Sequence, residues 1–387
     1  MPFALPRALA ALTLLAGLSA ALPAWAAVET PAREALLIDT RTGAVLLEKN
    51  AHDRMPPASM SKLMTVYMVM DELKEGRLSL DDTLPVSENA WEKGGFKSGS
   101  STMALEPNTR VRVEDLLRGI IVQSGNDACI VAAEALSGSE TAFAQAMTIR
   151  ARELGLTDST FRNATGWPDP EHRMTAWDLA ALARRTIADH ADYYHYYAEK
   201  TFTYNGIKQQ NRNPLLYKDM GADGLKTGHT QESGYGLVGT VERDGRRLIL
   251  VVNGLDSKKE RASESERLLE WGFREFQNYD LFKAGETVTD AEVWLGDQAT
   301  VPLVIEKDLT LTLKRRARRT MNVVVRYDQP IPAPFVKGDR LATLVISGKD
   351  MEPVEVPLVA GADVAQLGFV GRIGAALKYI VWGASSQ

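Results

Sequence analysis

The chain has 387 residues, 45% of them hydrophobic, 7% aromatic and 25% charged, which suits a soluble globular protein with room for more than one domain. A formal net charge of −5 speaks against a nucleic-acid binder. One cysteine, Cys129, excludes an intramolecular disulfide, and five histidines (His52, His172, His190, His195, His229) without clustered ligand spacing give no sign of a metal enzyme.

Residues 1–26 hold a single charge, Arg7, then a Leu/Ala run and Ala24-Trp25-Ala26, the small-x-small pattern of an export-signal cleavage site. Cleavage after Ala26 would leave 44 Lys and Arg against 50 Asp and Glu, a net charge of −6. Next, REALLIDTRTGAVLLEKN (33–50) alternates about a Thr-Gly turn and predicts a β-hairpin. From Ser59 the apolar positions Leu63, Tyr67 and Met70 recur at helical spacing. WEKGGFKSGSS (91–101) lacks the ending of a phosphate loop and reads as a mobile flap. Residues 112–190 are mostly helical in pattern, with Cys129 expected as a buried small residue. YGLVGTVERDGRRLILVVNG (235–254) predicts a second hairpin about Asp-Gly.

Strands at both ends with helices between them imply one α+β domain over 27–280, whose sheet joins N- and C-terminal segments. Residues 285–361 give short alternating strands and predict a small all-β domain. Within them KRRARR (314–319) reads as a solvated hairpin loop between two strands, with an anionic lipid or wall polymer as the alternative. In 364–387, Phe369, Ile373, Leu377 and Ile380 share a helical face, and the charges Arg372 and Lys378 are positive. Residues 366–382 are too few and too charged to span a bilayer, and predict an amphipathic helix anchored in the membrane surface.

The chemistry starts at PPASMSKLMT (56–65). A serine hydroxyl needs a neighbouring base, and positions i and i+3 of a helix bring Lys62 beside Ser59. Lysine titrates near ~10.4 when free, so it acts as a base only when desolvated or near other positive charge. Ser59 is also expected to be the helix N-cap. Alone, Ser-x-x-Lys is a weak signal. Ser124-Gly125-Asn126 and Lys226-Thr227-Gly228 follow it in order, and the ordered trio is the signature of penicillin-binding proteins and class A β-lactamases. Ser87-Glu88-Asn89 also fits Ser-x-Asn but lies in a polar stretch.

With ASMSKLMT, RGIIVQSGNDAC, NRNPLL, GLKTGHT and SERLLEWGFR, the chain resembles the low-molecular-mass penicillin-binding proteins that act as D-alanyl-D-alanine carboxypeptidases. The resemblance implies a penicillin-binding/β-lactamase-like catalytic domain with a sheet flanked by helices, then the all-β domain and the amphipathic helix. It implies that Ser59 attacks the penultimate D-alanine carbonyl of a peptidoglycan stem pentapeptide while Lys62 takes its proton. Ser124 would relay a proton to the leaving D-alanine, and Asn126 would bond the substrate amide. Lys226 would supply charge, with Thr227, Thr230 and Arg261 holding the terminal carboxylate, Gly228 also among the substrate-binding residues, and the N–H groups of Ser59 and His229 as oxyanion hole. It further implies β-lactams as covalent inhibitors, no metal, no cofactor, and a place at the periplasmic face of the inner membrane. The rival readings are a β-lactamase, for which no Glu-containing deacylation loop is visible, and a wall-binding scaffold without turnover.

Overall fold

A computed structural model describes residues 28–349, 351–369, 371, 373 and 374. The expected signal segment, and most of the expected C-terminal helix, lie outside them. From Pro31 onward the described chain belongs to one compact unit.

The strands β1 (Glu34–Asp39) and β2 (Val45–Lys49) form the first expected hairpin, and its turn places Gly43 at φ +74°, a left-handed conformation that glycine adopts without strain. Then comes α1 (Lys62–Lys74), followed by β3 (Thr83–Pro85), α2 (Glu88–Gly94) and β4 (Arg110–Arg112), with β3 and β4 paired. Three helices succeed them, α3 (Val113–Arg118), α4 (Asn126–Ser137) and α5 (Glu140–Glu153), and after a long loop α6 (Ala176–Asp189) and the short α7 (Ala191–Tyr194). Ser87, Ser139 and Thr175 cap α2, α5 and α6 by accepting a backbone N–H three residues on. The segment expected as a flap is therefore helical up to Gly94. Ser87 of the decoy triplet is occupied as a cap.

A small hairpin, β5 (Thr201–Tyr204) with β6 (Ile207–Gln210), leads to β7 (Ala222–Thr230), β8 (Gly234–Arg243) and β9 (Arg246–Leu255), then α8 (Lys258–Glu275). The main sheet has the order β2-β1-β9-β8-β7, so N- and C-terminal segments share it as expected. Strand alternation separates its two faces. Leu36 and Ile38 join the large helical core, whereas Leu37 and Leu248 meet Gly272 of α8. Buried on nearly every side, α1 and α4 form the middle of that core.

The remaining strands are β10 (Phe276–Phe282), β11 (Thr287–Trp294), β12 (Thr300–Ile305), β13 (Leu309–Lys314), β14 (Asn322–Arg326), β15 (Ile331–Pro332), β16 (Arg340–Gly348) and β17 (Met351–Ala360). They build a β10-β13 pair and a six-stranded sheet around their own apolar core. One expectation fails here. The strands flanking KRRARR do not form a hairpin, because β13 pairs with β10 and β14 with β16, so the basic run crosses between sheets through a 3₁₀ turn.

Candidate active site

The two prolines before Ser59 open a 3₁₀ turn, Ala58–Ser61, and α1 starts only at Lys62. Ser59 is therefore not the N-cap; it lies inside the turn, where its hydroxyl is half-buried and open to other work. Lys62 Nζ donates to Ser59 Oγ at 2.8 Å, to Asn126 Oδ1 at 2.7 Å and to the Thr165 carbonyl at 2.6 Å. Those three acceptors match the three donors of an ammonium. Burial nevertheless pushes the Lys62 pKa down to about 8, and Arg212 acts in the same direction. A neutral amine beside Ser59 is thus accessible near neutral pH.

The Thr165 carbonyl is aimed by its loop. Asn163 Oδ1 accepts from the backbone N–H groups of Thr165, Gly166 and Trp167 and from the Thr165 hydroxyl. Gly166 has φ +79°, and a Cβ there would lie 1.9 Å from the Ala58 carbonyl oxygen. The loop reaches Lys62 because that position carries no side chain.

Ser124 follows a π-type turn, Gly119–Gln123, and sits at φ 64°, ψ 34°. Such irregular backbone is concentrated at functional sites. Its Oγ is buried and has no hydrogen-bond partner among the described residues. Asn126 opens α4, with Oδ1 on Lys62 and Nδ2 donating to Ser100 Oγ. The neighbouring Asp127 is fully buried and accepts from Thr102 Oγ1 and from the N–H groups of Met103, Leu105 and Ala128. It thereby pins residues 102–105 against the start of α4.

The opposite wall is β7. A Cβ on Gly228 would lie 2.8 Å from the Pro57 carbonyl, so glycine allows β7 to press against the turn carrying Ser59. The cleft between the walls has a volume of 460 Å³. Ser59, Ser124, Thr227, Gly228, His229 and Arg261 line it, joined by Ser101, Arg212, Tyr235 and Lys258. A groove of 680 Å³ adjoins it and shares Ser101, Gln210 and Arg212. Among the described residues no Asp or Glu lines the cleft, although Arg212, Lys258 and Arg261 do. Burial lowers the Arg212 and Arg261 pKa values, the latter to about 10 with Arg212 contributing, and holds Lys226 well below its ordinary value with help from Lys62 and Arg212. Uncompensated cations gathered in one cleft are built to receive an anion.

Of the ten residues predicted, six line the cleft, and Lys62 hydrogen-bonds both Ser59 and Asn126. Lys226 is buried beneath, with Nζ donating to the Thr227 carbonyl at 3.3 Å. Thr230 does not line the cleft, and its hydroxyl exchanges hydrogen bonds with Ser233. The His229 ring stacks on Tyr235 at 3.8 Å, and its pKa is lowered by burial, Arg261 and Lys258. Cys129 is buried and its thiol pushed up to about 12, an inert position. Sequence reasoning missed Arg212, Ser100, Ser101, Asp127 and the Thr165 carbonyl. Arg212 lies in NRNPLL, so its signal was visible without a role attached.

Residues 21–257 match the family model described as D-alanyl-D-alanine carboxypeptidase, and residues 276–366 match the penicillin-binding protein 5 C-terminal domain. The chain is 38% identical over 354 residues to D-alanyl-D-alanine carboxypeptidase DacC of Escherichia coli, covering 89% of this chain and 88% of that protein. Its structure is similar to penicillin binding protein 5 from Haemophilus influenzae (TM-score 0.75, 35% identity, 87% of this chain and 98% of that one). D-alanyl-D-alanine carboxypeptidase DacD from Francisella tularensis gives a TM-score of 0.80 at 31% identity, over 88% and 95% of the two chains.

Proposed function

As the chain belongs to the D-alanyl-D-alanine carboxypeptidase family, we propose that it removes the terminal D-alanine from peptidoglycan stem pentapeptides through an acyl-enzyme on Ser59, and so limits cell-wall cross-linking. One observation carries this reading: a serine–lysine pair opens onto a cleft that holds three cations and no carboxylate. The substrate ends in a carboxylate beside its scissile bond, and Arg212, Arg261 and the Thr227 hydroxyl, which line the cleft, would bind it. The Arg261 guanidinium donates to the Arg212 backbone carbonyl at 3.5 Å, which ties the two residues to the same part of the cleft.

Lys62, as neutral amine, takes the proton of Ser59 while Oγ attacks the penultimate carbonyl. Backbone N–H groups of Ser59 and His229 stabilise the oxyanion. The Ser124 hydroxyl passes a proton to the departing D-alanine nitrogen, and Asn126 holds the substrate amide. Water then hydrolyses the ester. A β-lactam enters the same route and acylates Ser59 covalently, its ring amide taking the place of the scissile peptide bond.

Export and attachment to the outer face of a bacterial cytoplasmic membrane through residues 366–382 complete the reading. No described helix is long and apolar enough to cross a membrane, and a surface helix requires none. Removing residues 364–387 is expected to release the protein from membranes with its activity intact. The nucleophile is tested by treating the protein with benzylpenicillin and mapping the adduct by mass spectrometry. An adduct on the Ser59 peptide, lost in Ser59→Ala, supports the assignment. An adduct on another residue removes it.

A further inference from the structure

The basic run at 314–319 crosses between two sheets, and it concentrates five cationic residues within six positions. Arg315, Arg316, Arg318 and Arg319 are all exposed, as is Arg274 at the end of α8. The Arg315 N–H bonds the Glu275 carbonyl, and its guanidinium donates to the Arg274 carbonyl and to Gln277 Oε1. The Arg318 guanidinium lies over the Tyr279 ring at 5.6 Å. Carbonyls, an amide and an aromatic ring orient Arg315 and Arg318 without neutralising them. Arg315, Arg318 and Arg319 make no ion pair among the described residues, and Arg274 pairs with Glu275 at 3.0 Å. Natural surfaces mix their charges, so a cluster of one sign held in place is a field directed at a partner of the other sign.

Its place in the fold indicates the partner. α8 links it to the cleft: Arg261 lines the cleft near the helix start and Arg274 lies thirteen residues on, about 20 Å along the axis. In the other direction, Thr320 touches the turn before β17 through the Lys349 carbonyl. β17 then runs to Ala360, about 30 Å further, before the chain turns into the C-terminal segment. That strand length is several times the about 8 Å over which charges are screened, so the cluster and the start of the C-terminal segment are electrostatically separate. The cluster stands within reach of any long polymer whose peptide occupies the cleft.

We propose that Arg274, Arg315, Arg316, Arg318 and Arg319 form a second binding site, for the anionic peptidoglycan strand that carries the substrate peptides. The proposal rests on the reaction proposed above, since the carboxylates of neighbouring stem peptides are what this site would hold. The site would raise affinity for polymeric substrate and be indifferent to a short peptide, which cannot span the distance.

The experiment compares wild type with a quadruple variant, Arg315→Gln, Arg316→Gln, Arg318→Gln and Arg319→Gln, in the mature full chain. D-Alanine release is measured on soluble uncross-linked peptidoglycan strands and on a short peptide ending in Lys-D-Ala-D-Ala. Exposed charge contacts are each worth about twofold, so KM for the strands is expected to rise about tenfold at unchanged kcat. KM for the short peptide stays constant, and added salt removes the wild-type advantage. Unchanged KM on the strands overturns the proposal. So does an equal loss on both substrates that the four Arg→Lys substitutions fail to restore, which would make the run structural. Vesicles containing phosphatidylglycerol provide the third arm: weaker vesicle binding with unchanged strand KM would make this a lipid site and the proposal wrong. Wild type inactive on the short peptide would bring down the reaction itself, a result separate from these.

Discussion

Gly166→Ala tests the idea that a backbone carbonyl helps hold the catalytic base. The new Cβ would start 1.9 Å from the Ala58 oxygen and 2.6 Å from Ser61 Oγ, where real Cβ contacts stay beyond 3.0 Å. The 163–167 loop and the turn carrying Ser59 must therefore separate by more than 1 Å. The left-handed backbone at φ +79° costs an alanine about 1 kcal/mol by itself. Moving the Thr165 carbonyl off Lys62 Nζ, now 2.6 Å away, costs about 1–3 kcal/mol more. The variant is thus expected to lose about 2–4 kcal/mol of stability. A displacement of about 1 Å in catalytic groups is worth about 100-fold in rate. The assay is the second-order rate of acylation by a fluorescent penicillin, with unfolding followed in parallel below the midpoint. Gly43→Ala is the control: it has φ +74° but nothing within 4 Å, so it takes the conformational cost and acylates normally. Acylation of Gly166→Ala within twofold of wild type refutes the reasoning.

The Lys62 pKa of about 8 sets the pH profile: the active species is the amine, so acylation rises tenfold per pH unit below 8 and levels off above it. A flat profile between pH 6 and 9 contradicts this. Asp127→Ala leaves Thr102 Oγ1 and two loop N–H groups without their acceptor, and a loss of about 3 kcal/mol is expected in denaturant unfolding. A loss under 1 kcal/mol would refute the anchoring role. His172 is buried, accepts the Arg162 N–H at Nδ1, and has its pKa lowered by burial to about 4 against an ordinary value of 6.5. The unfolded chain therefore binds the extra proton first, and stability present above pH 6.5 falls as pH drops through 4, by up to about 3 kcal/mol. His172→Asn should flatten that dependence, and an unchanged slope would place the acid sensitivity elsewhere.

The parts of this protein that were readable in advance are those written locally. The hairpins around Gly43 and Asp244-Gly245 follow from alternation and turn chemistry, and the main sheet follows from their separation by helices. Ser59, Lys62, Ser124, Asn126 and Lys226 could be named because their triplets fix residue type and order. What escaped was long-range. Nothing local says that Leu309–Lys314 pairs with Phe276–Phe282 while Asn322–Arg326 goes to another sheet. The Thr165 carbonyl has no side-chain signature, and Asp127 looks like any helix-start acid until four donors converge on it. Ser59 resembled an N-cap because a 3₁₀ turn and an α-helix share the same onset signals; the turn leaves the hydroxyl to Lys62 instead.

The central claim is that the Ser59–Lys62 pair, served by an anion-binding cleft, hydrolyses a D-Ala-D-Ala terminus. Its most direct test is D-alanine release from a peptide ending in Lys-D-Ala-D-Ala, with Ser59→Ala as control. Release by wild type that vanishes in Ser59→Ala, with both proteins equally folded, is the predicted result. Release that persists in Ser59→Ala, or none from folded wild type, would contradict the account.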